Sequence, residues 1–121
     1  MVDVVIFDED RERAASIEAV LRFQDHDVRC CSGPDELQAA LKEREPALTL
    51  LSGEADAAGW RAALESVNRL SEDLPVFLLL PSGGKRVAPE SLTANVLATL
   101  DLPLRQGQFD AALKQAMSYN A

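Results

Sequence analysis

Three acidic residues, Asp8, Glu9 and Asp10, directly follow an apolar run at residues 4–7. Carboxylates so placed can hold a hard cation, or they can stabilise the start of a helix through its dipole. Asp10 is suited to cap a helix that begins just after it. We expect solvated acids at a helix start, with weak cation binding as the alternative.

Three other side chains that often do chemistry form no recognisable site. Cys30 and Cys31 are adjacent, which is poor geometry for a disulfide and matches no zinc spacing. We expect plain strand thiols in a reducing cytoplasm. His26 is the single histidine, so it can build neither a multi-histidine metal site nor an obvious triad, and we expect it in a solvated turn.

The composition describes one small acidic domain spanning residues 1–121. The 121 residues include 12 Lys plus Arg and 20 Asp plus Glu, for a net charge of −8. This charge disfavours direct nucleic-acid binding, which draws on counterion release at phosphates. Neither a membrane-length apolar run nor a basic signal-peptide start is present. We therefore expect a cytoplasmic protein that contacts neither DNA nor membrane.

Apolar runs and helical stripes alternate along the chain and predict an α/β fold. The predicted strands lie at residues 4–7, 28–31, 47–51, 76–80 and 96–100. Continuously apolar strands are typical of a parallel sheet covered on both faces, which predicts a doubly wound sheet with about five helices. Glycines and prolines between residues 81 and 89 predict that any helix before the last strand begins late, at Pro89.

The acidic end of the first strand, with Leu74-Pro75-Val76 and Leu102-Pro103-Leu104, resembles response-regulator receiver domains over nearly the whole chain. The resemblance implies a CheY-like, flavodoxin-like five-stranded sheet of order 2-1-3-4-5. It also implies a site of two Mg²⁺-binding acids, a phosphoacceptor Asp, a hydroxyl residue and a Lys. The corresponding residues in this chain are Asp8 and Glu9 for the acids, Ser52 (or Gly53) for the acceptor, Leu80 for the hydroxyl residue and Leu102 for the Lys.

Only the acidic pair fits that pattern, so we expect phosphotransfer to be lost. A serine hydroxyl is almost fully protonated at neutral pH, and Leu102 supplies no cation for a phosphoryl group. Thr99 stands where the family has its aromatic switch residue. The prediction is a non-enzymatic domain without a cofactor or a confident metal site. The alternative is a phosphorylatable, Mg²⁺-dependent receiver that uses Ser52 or another acid.

More specifically, the chain resembles the atypical amino-terminal receiver of FleQ-type flagellar regulators, which are σ54-dependent activators. The stretches at residues 10–23, 48–53 and above all 96–104 carry this resemblance. It implies a regulatory domain of a flagellar or biofilm transcription activator that acts by protein contact, as a homodimer or on the ATPase module of the same longer protein. A stand-alone adaptor is a further alternative. No phosphate-binding Gly-x-x-x-x-Gly-Lys loop occurs, because Gly83-Gly84-Lys85 lacks the spacing.

The family's interaction face combines helix four, strand five and helix five. Four apolar residues are the candidates for it here: Leu92, Leu104, Phe109 and Leu113. Ordinary core packing is the competing interpretation of each, because the last helix needs an apolar stripe to cover the sheet.

Overall fold

Five parallel strands form one sheet in the order β2-β1-β3-β4-β5, which confirms the predicted fold class. The computed structural model describes residues 2–119, with side chains through Met117. The elements are β1 Asp3–Phe7, α1 Arg11–Phe23, β2 Asp27–Cys31, α2 Pro34–Glu43, β3 Leu48–Ser52, α3 Ala58–Leu70, β4 Val76–Pro81, a 3₁₀ turn Pro89–Ser91, β5 Val96–Leu102 and α4 Gln106–Tyr119. None of the described helices is long and apolar enough to cross a membrane.

The sheet separates two apolar cores, as a doubly wound fold requires. One core contains Trp60, Leu64 and Val67 of α3 together with buried residues of α2. The other contains Ile17 of α1 and Phe109 of α4. The central strands β3 and β4 contribute to both cores, which explains why their sequences are apolar except for Thr49 and Ser52.

Local signals in the sequence account for where two of the helices begin. The Asp10 carboxylate accepts hydrogen bonds from the backbone N–H groups of Glu12 (3.0 Å) and Arg13 (3.1 Å), so it caps α1 as predicted. Pro34 occupies the first turn of α2, where its missing N–H costs nothing. The strand ends differ from prediction by one or two residues, and β3 extends through Ser52.

The prediction of about five helices is corrected, because the described residues contain four α-helices. The segment between β4 and β5 holds only the 3₁₀ turn Pro89–Ser91. Gly83 has a positive φ of 80°, and Pro89 starts a turn with no buried residue of its own. Without an apolar face to bury, the turn has nothing to extend it into a helix. Val87 and Leu92 pack against the α2–α3 core from this loop.

His26 is half-buried, so the prediction of a solvated turn is corrected. Its Nδ1 accepts a hydrogen bond from the backbone N–H of Val2 at 3.1 Å. Cys30 and Cys31 are free thiols of β2, as expected, with Cys31 buried. Burial raises the pKa of the Cys31 thiol to about 11, which keeps it protonated and unreactive at neutral pH.

Candidate functional site

The carboxyl ends of the strands bring the predicted site positions to one edge of the sheet. Phe7 pairs with Leu51, which places Asp8 beside Ser52 along the edge. Ser52 in turn pairs with Leu79, and Pro81 pairs with Leu102. In doubly wound sheets this edge is where ligands bind.

Asp8 is fully buried and forms a bidentate ion pair with Arg13, so it is not the solvated acid that the sequence suggested. Arg13 Nε donates to Asp8 Oδ2 at 2.6 Å, and Arg13 Nη2 donates to Oδ1 at 2.8 Å. Oδ1 also accepts from the backbone N–H of Asp10 at 2.9 Å. Both carboxylate oxygens are therefore satisfied within the chain.

Glu9 diverges from Asp8 instead of forming a pair with it. Its side chain is exposed and lies against Gly59 in the first turn of α3, where a Cβ on Gly59 would overlap the Glu9 carboxylate. The absence of a side chain at Gly59 therefore makes room for Glu9. The sequence places the two acids next to each other, but the structure directs them to different neighbours.

The three remaining site positions are buried and carry no charge. Ser52 is 2% exposed, and its Oγ has no hydrogen-bond partner among the described residues. Leu80 and Leu102 are buried in opposite cores, Leu80 with the α2–α3 layer and Leu102 with the α1–α4 layer. Thr99 is exposed. The edge thus presents apolar side chains where phosphotransfer would need a hydroxyl group and a cation.

The receiver fold implies Mg²⁺ at this edge, but the residues present do not fit it. Both Asp8 oxygens are taken by a guanidinium, and Glu9 turns toward α3. Within residues 2–119, no cluster of three or more His, Cys, Asp or Glu side chains could hold a metal ion. Mg²⁺ prefers near-octahedral oxygen coordination with free carboxylate oxygens, which this arrangement does not offer.

A shallow groove of about 630 Å³ lies beside this edge, between α1 and the loop that follows β5. Ile17 and Val20 line its α1 side, and Leu102, Pro103 and Leu104 line the other. Arg13 and Glu54 also line it, so the arginine that binds Asp8 and the apolar surface share one concavity.

The four candidate interface residues are mostly core residues of this chain. Phe109 is fully buried and Leu104 is 7% exposed, so neither offers a docking surface on the free domain. Leu113 is half-buried in the α1–α4 core, and Leu92 is half-buried in the α2–α3 core. The face was expected to include a fourth helix before the last strand, and that helix is replaced here by the loop and 3₁₀ turn.

Two residues of the site and surface were missed at the sequence level. Arg13 reads as an ordinary surface cation, and its only signal is that it lies in the first helical turn after the acidic run. Phe23 is 82% exposed at the end of α1, although its apolar type suggests a core residue. Only the tertiary structure distinguishes these roles.

The strand order 2-1-3-4-5 is that of flavodoxin-like folds, the class that includes the receiver domains of response regulators. The family model described as "Flagellar regulatory protein FleQ" matches residues 3–118. The chain belongs to this FleQ family.

Solved structures with the same fold include isolated receiver domains and a longer chain that matches over about a quarter of its length. NtrX from Brucella abortus, in complex with ATP, superposes with a TM-score of 0.83 at 18% identity, covering 98% of this chain and 27% of that one. The isolated NtrX receiver domain from the same organism superposes with a TM-score of 0.80 at 18% identity, covering 96% of this chain and 98% of that one. A response regulator receiver domain protein from Clostridium thermocellum superposes with a TM-score of 0.81 at 13% identity, covering 99% of this chain and 97% of that one. This chain therefore spans about a quarter of the NtrX chain in the ATP complex.

Proposed function

We propose that this receiver is a non-catalytic regulatory domain that acts through protein contact without phosphorylation. The observation that carries the proposal is the closed carboxyl edge, where Ser52, Leu80 and Leu102 are all buried. A phosphoryl group there would meet two leucines and lack the cation that neutralises its charge. A signal must then reach the domain by docking.

The partner in this proposal is the ATPase module of a longer, cytoplasmic σ54-dependent regulator of flagellar or biofilm genes. Support comes from the family assignment over residues 3–118 and from the matches to the longer NtrX chain and to the isolated NtrX receiver domain. A stand-alone adaptor is the alternative. A reading frame that continues in phase beyond codon 121 into an ATPase module would favour the regulator, and a stop codon there would favour the adaptor.

Self-association is the second part of the proposal, and it rests on exposed apolar side chains. Phe23 on α1 is 82% exposed, and Met117 on α4 is 45% exposed. Both helices cover the same face of the sheet, which gives this layer two of the large exposed hydrophobic residues found in the described chain. We assign the contact between two copies to this α1–α4 layer, since large exposed apolar side chains on one layer can form an interaction surface.

An acetyl phosphate experiment tests the absence of phosphorylation. The 121-residue chain is incubated with acetyl phosphate and Mg²⁺ beside an ordinary Asp-bearing receiver, and intact masses are measured. We expect a mass gain only in the ordinary receiver. A gain that disappears in Ser52→Ala would establish the runner-up function, in which Ser52 is the phosphoacceptor. A gain that persists in Ser52→Ala would place the acceptor on another residue and would also overturn the proposal.

A further inference from the structure

The guanidinium of Arg13 lies among carboxylates at the carboxyl edge of the sheet. Its hydrogen bonds to Asp8 raise the pKa of Arg13, and the negative charges of Asp8, Asp10 and Glu54 raise it further. Arginine remains protonated at any physiological pH even without such help. A positive charge is therefore always present in this pocket.

We propose that Arg13 is a built-in replacement for the divalent cation of receiver domains, tethered to the chain and bound at both oxygens of Asp8. The inference deepens the proposed function and rests on it, because it gives the physical reason why the domain can work without metal and phosphate. The acidic edge is then a site that already holds its cation.

The backbone around Arg13 positions the guanidinium for this role. Asp10 accepts from the backbone N–H of Arg13 at 3.1 Å, and Asp10 donates its own N–H to Asp8 at 2.9 Å. The acid, the helix cap and the cation are thus joined in one hydrogen-bonded segment. Arg13 lies in the first turn of α1, so its side chain reaches back to Asp8 while its backbone remains helical.

Competition explains why the internal cation excludes a metal ion. The planar guanidinium binds a carboxylate through two parallel hydrogen bonds, which leaves neither Asp8 oxygen free for a metal. Asp8 is fully buried, and Arg13 has 27% of its side chain exposed, so solvent screens this pair less than an exposed one. A divalent ion at Asp8 would have to displace Arg13 and would then be repelled by the displaced charge.

Removing the arginine should therefore let a divalent ion bind at Asp8, with water completing its coordination. Without Arg13, Asp8 is a buried carboxylate with a free oxygen. The negative charges of Asp10 and Glu54 also lose the positive charge with which they interact in the wild type. Glu9 is exposed and lies against Gly59, so its side chain would have to rotate away from α3 to join the coordination. Hard oxygen ligands of this kind suit Mg²⁺ and Mn²⁺.

The test uses the 121-residue chain, thermal unfolding in Mg²⁺, and Mn²⁺ broadening of the amide resonances of residues 8–10. We expect the wild type to respond to neither ion. In Arg13→Ala, Mg²⁺ should raise Tm, and Mn²⁺ should broaden these amides at concentrations at least about tenfold below any effect on the wild type. Arg11→Ala, an exposed arginine of the same helix turn, is the matched control and should behave as the wild type.

Two further variants keep the test decisive. Asp8→Asn combined with Arg13→Ala should abolish the metal response, which assigns the response to Asp8. Arg13→Gln, which retains a hydrogen-bond donor, replaces Arg13→Ala if the alanine variant does not fold. Metal binding by the wild type that disappears in Asp8→Asn would overturn the inference, as would folded Arg13 variants that show no metal response. If neither Arg13 variant folds, the wild-type result alone decides.

The outcomes separate this inference from the proposed function. A wild type that binds Mg²⁺ at Asp8 but gains no mass with acetyl phosphate would remove the internal cation and leave the phosphorylation-independent domain standing. A wild type that gains mass would overturn the proposed function itself.

Discussion

The rings of His26 and Phe109 meet edge to face, with centroids 5.7 Å apart and planes at 70°. Phe109 is fully buried in the α1–α4 core, so this contact joins the turn after α1 to that core. The same imidazole accepts the N–H of Val2 at the start of the sheet. His26 therefore connects β1, the α1–β2 turn and α4.

This environment predicts that stability depends on the protonation of His26. Burial lowers the pKa of His26 below its ordinary value of 6.5, against the opposing charges of Asp110 and Asp25. Near and below pH 6.5, the folded state therefore binds fewer protons than the unfolded state. The contribution of neutral His26 to the free energy of unfolding is complete above about pH 6.5, and it is lost as the pH falls through the pKa of the folded state. Urea unfolding between pH 5 and pH 8 should show this loss. In His26→Asn, which retains an acceptor near Nδ1, the loss should be smaller; an unchanged pH profile would contradict the prediction.

Arg13→Ala should destabilise the fold by about 3 kcal/mol, since it leaves the buried Asp8 carboxylate without its partner. The figure is at the low end for buried pairs, because part of the Arg13 side chain is exposed. The matched control is Arg11→Ala, whose 3.8 Å pair with Glu36 joins two exposed side chains and should contribute less than about 0.5 kcal/mol. Urea denaturation midpoints measure both changes. Equal effects of the two substitutions would show that the Asp8 pair contributes no more than a surface one.

Ser52→Asp alone should not permit phosphorylation by acetyl phosphate and Mg²⁺. The new carboxylate would stand at a phosphoacceptor position, but Leu102 would still supply no cation, and Arg13 would still hold Asp8. Intact-mass measurement checks this, with circular dichroism to confirm folding. A mass gain in the single variant would contradict this prediction, because it would show that phosphorylation needs the acceptor carboxylate but not a lysine at position 102.

The sequence predicted those parts of the fold that depend on local periodicity. Strands β3 and β4 are apolar except for Thr49 and Ser52 because both faces are covered, and Trp60, Leu64 and Val67, which recur at helical spacing, form part of the buried face of α3. The Asp8–Arg13 pair was not predicted, because a charged residue in a first helical turn usually faces solvent. Pro89 is a good helix-start signal, yet without buried residues the turn that follows it stops after three residues.

Thr49→Val should stabilise the protein by about 1 kcal/mol, because it replaces a buried hydroxyl by a methyl group of the same shape. Thr49 is fully buried in β3, and its Oγ1 has no hydrogen-bond partner among the described residues. The control is Thr93→Val, because Thr93 Oγ1 donates to Asn95 at 2.6 Å and accepts from Asn68 at 3.1 Å. Urea unfolding should show opposite signs for the two variants. Destabilisation by Thr49→Val would show that its hydroxyl is satisfied in solution.

Phe23→Ser should weaken self-association of the chain while leaving its stability within about 0.5 kcal/mol, because an exposed side chain contributes little to the core. Phe23 is 82% exposed on the α1–α4 layer, whereas Leu70, at 47%, is exposed on α3 across the sheet. Leu70→Ser is therefore the matched control for general loss of surface hydrophobicity. Sedimentation equilibrium should show a dimer dissociation constant raised by about tenfold or more in Phe23→Ser, which corresponds to roughly 1.4 kcal/mol of contact energy, and no change in Leu70→Ser. A monomeric wild type across the accessible concentrations would contradict the dimer itself, and equal effects of the two variants would remove the α1–α4 layer as its contact surface.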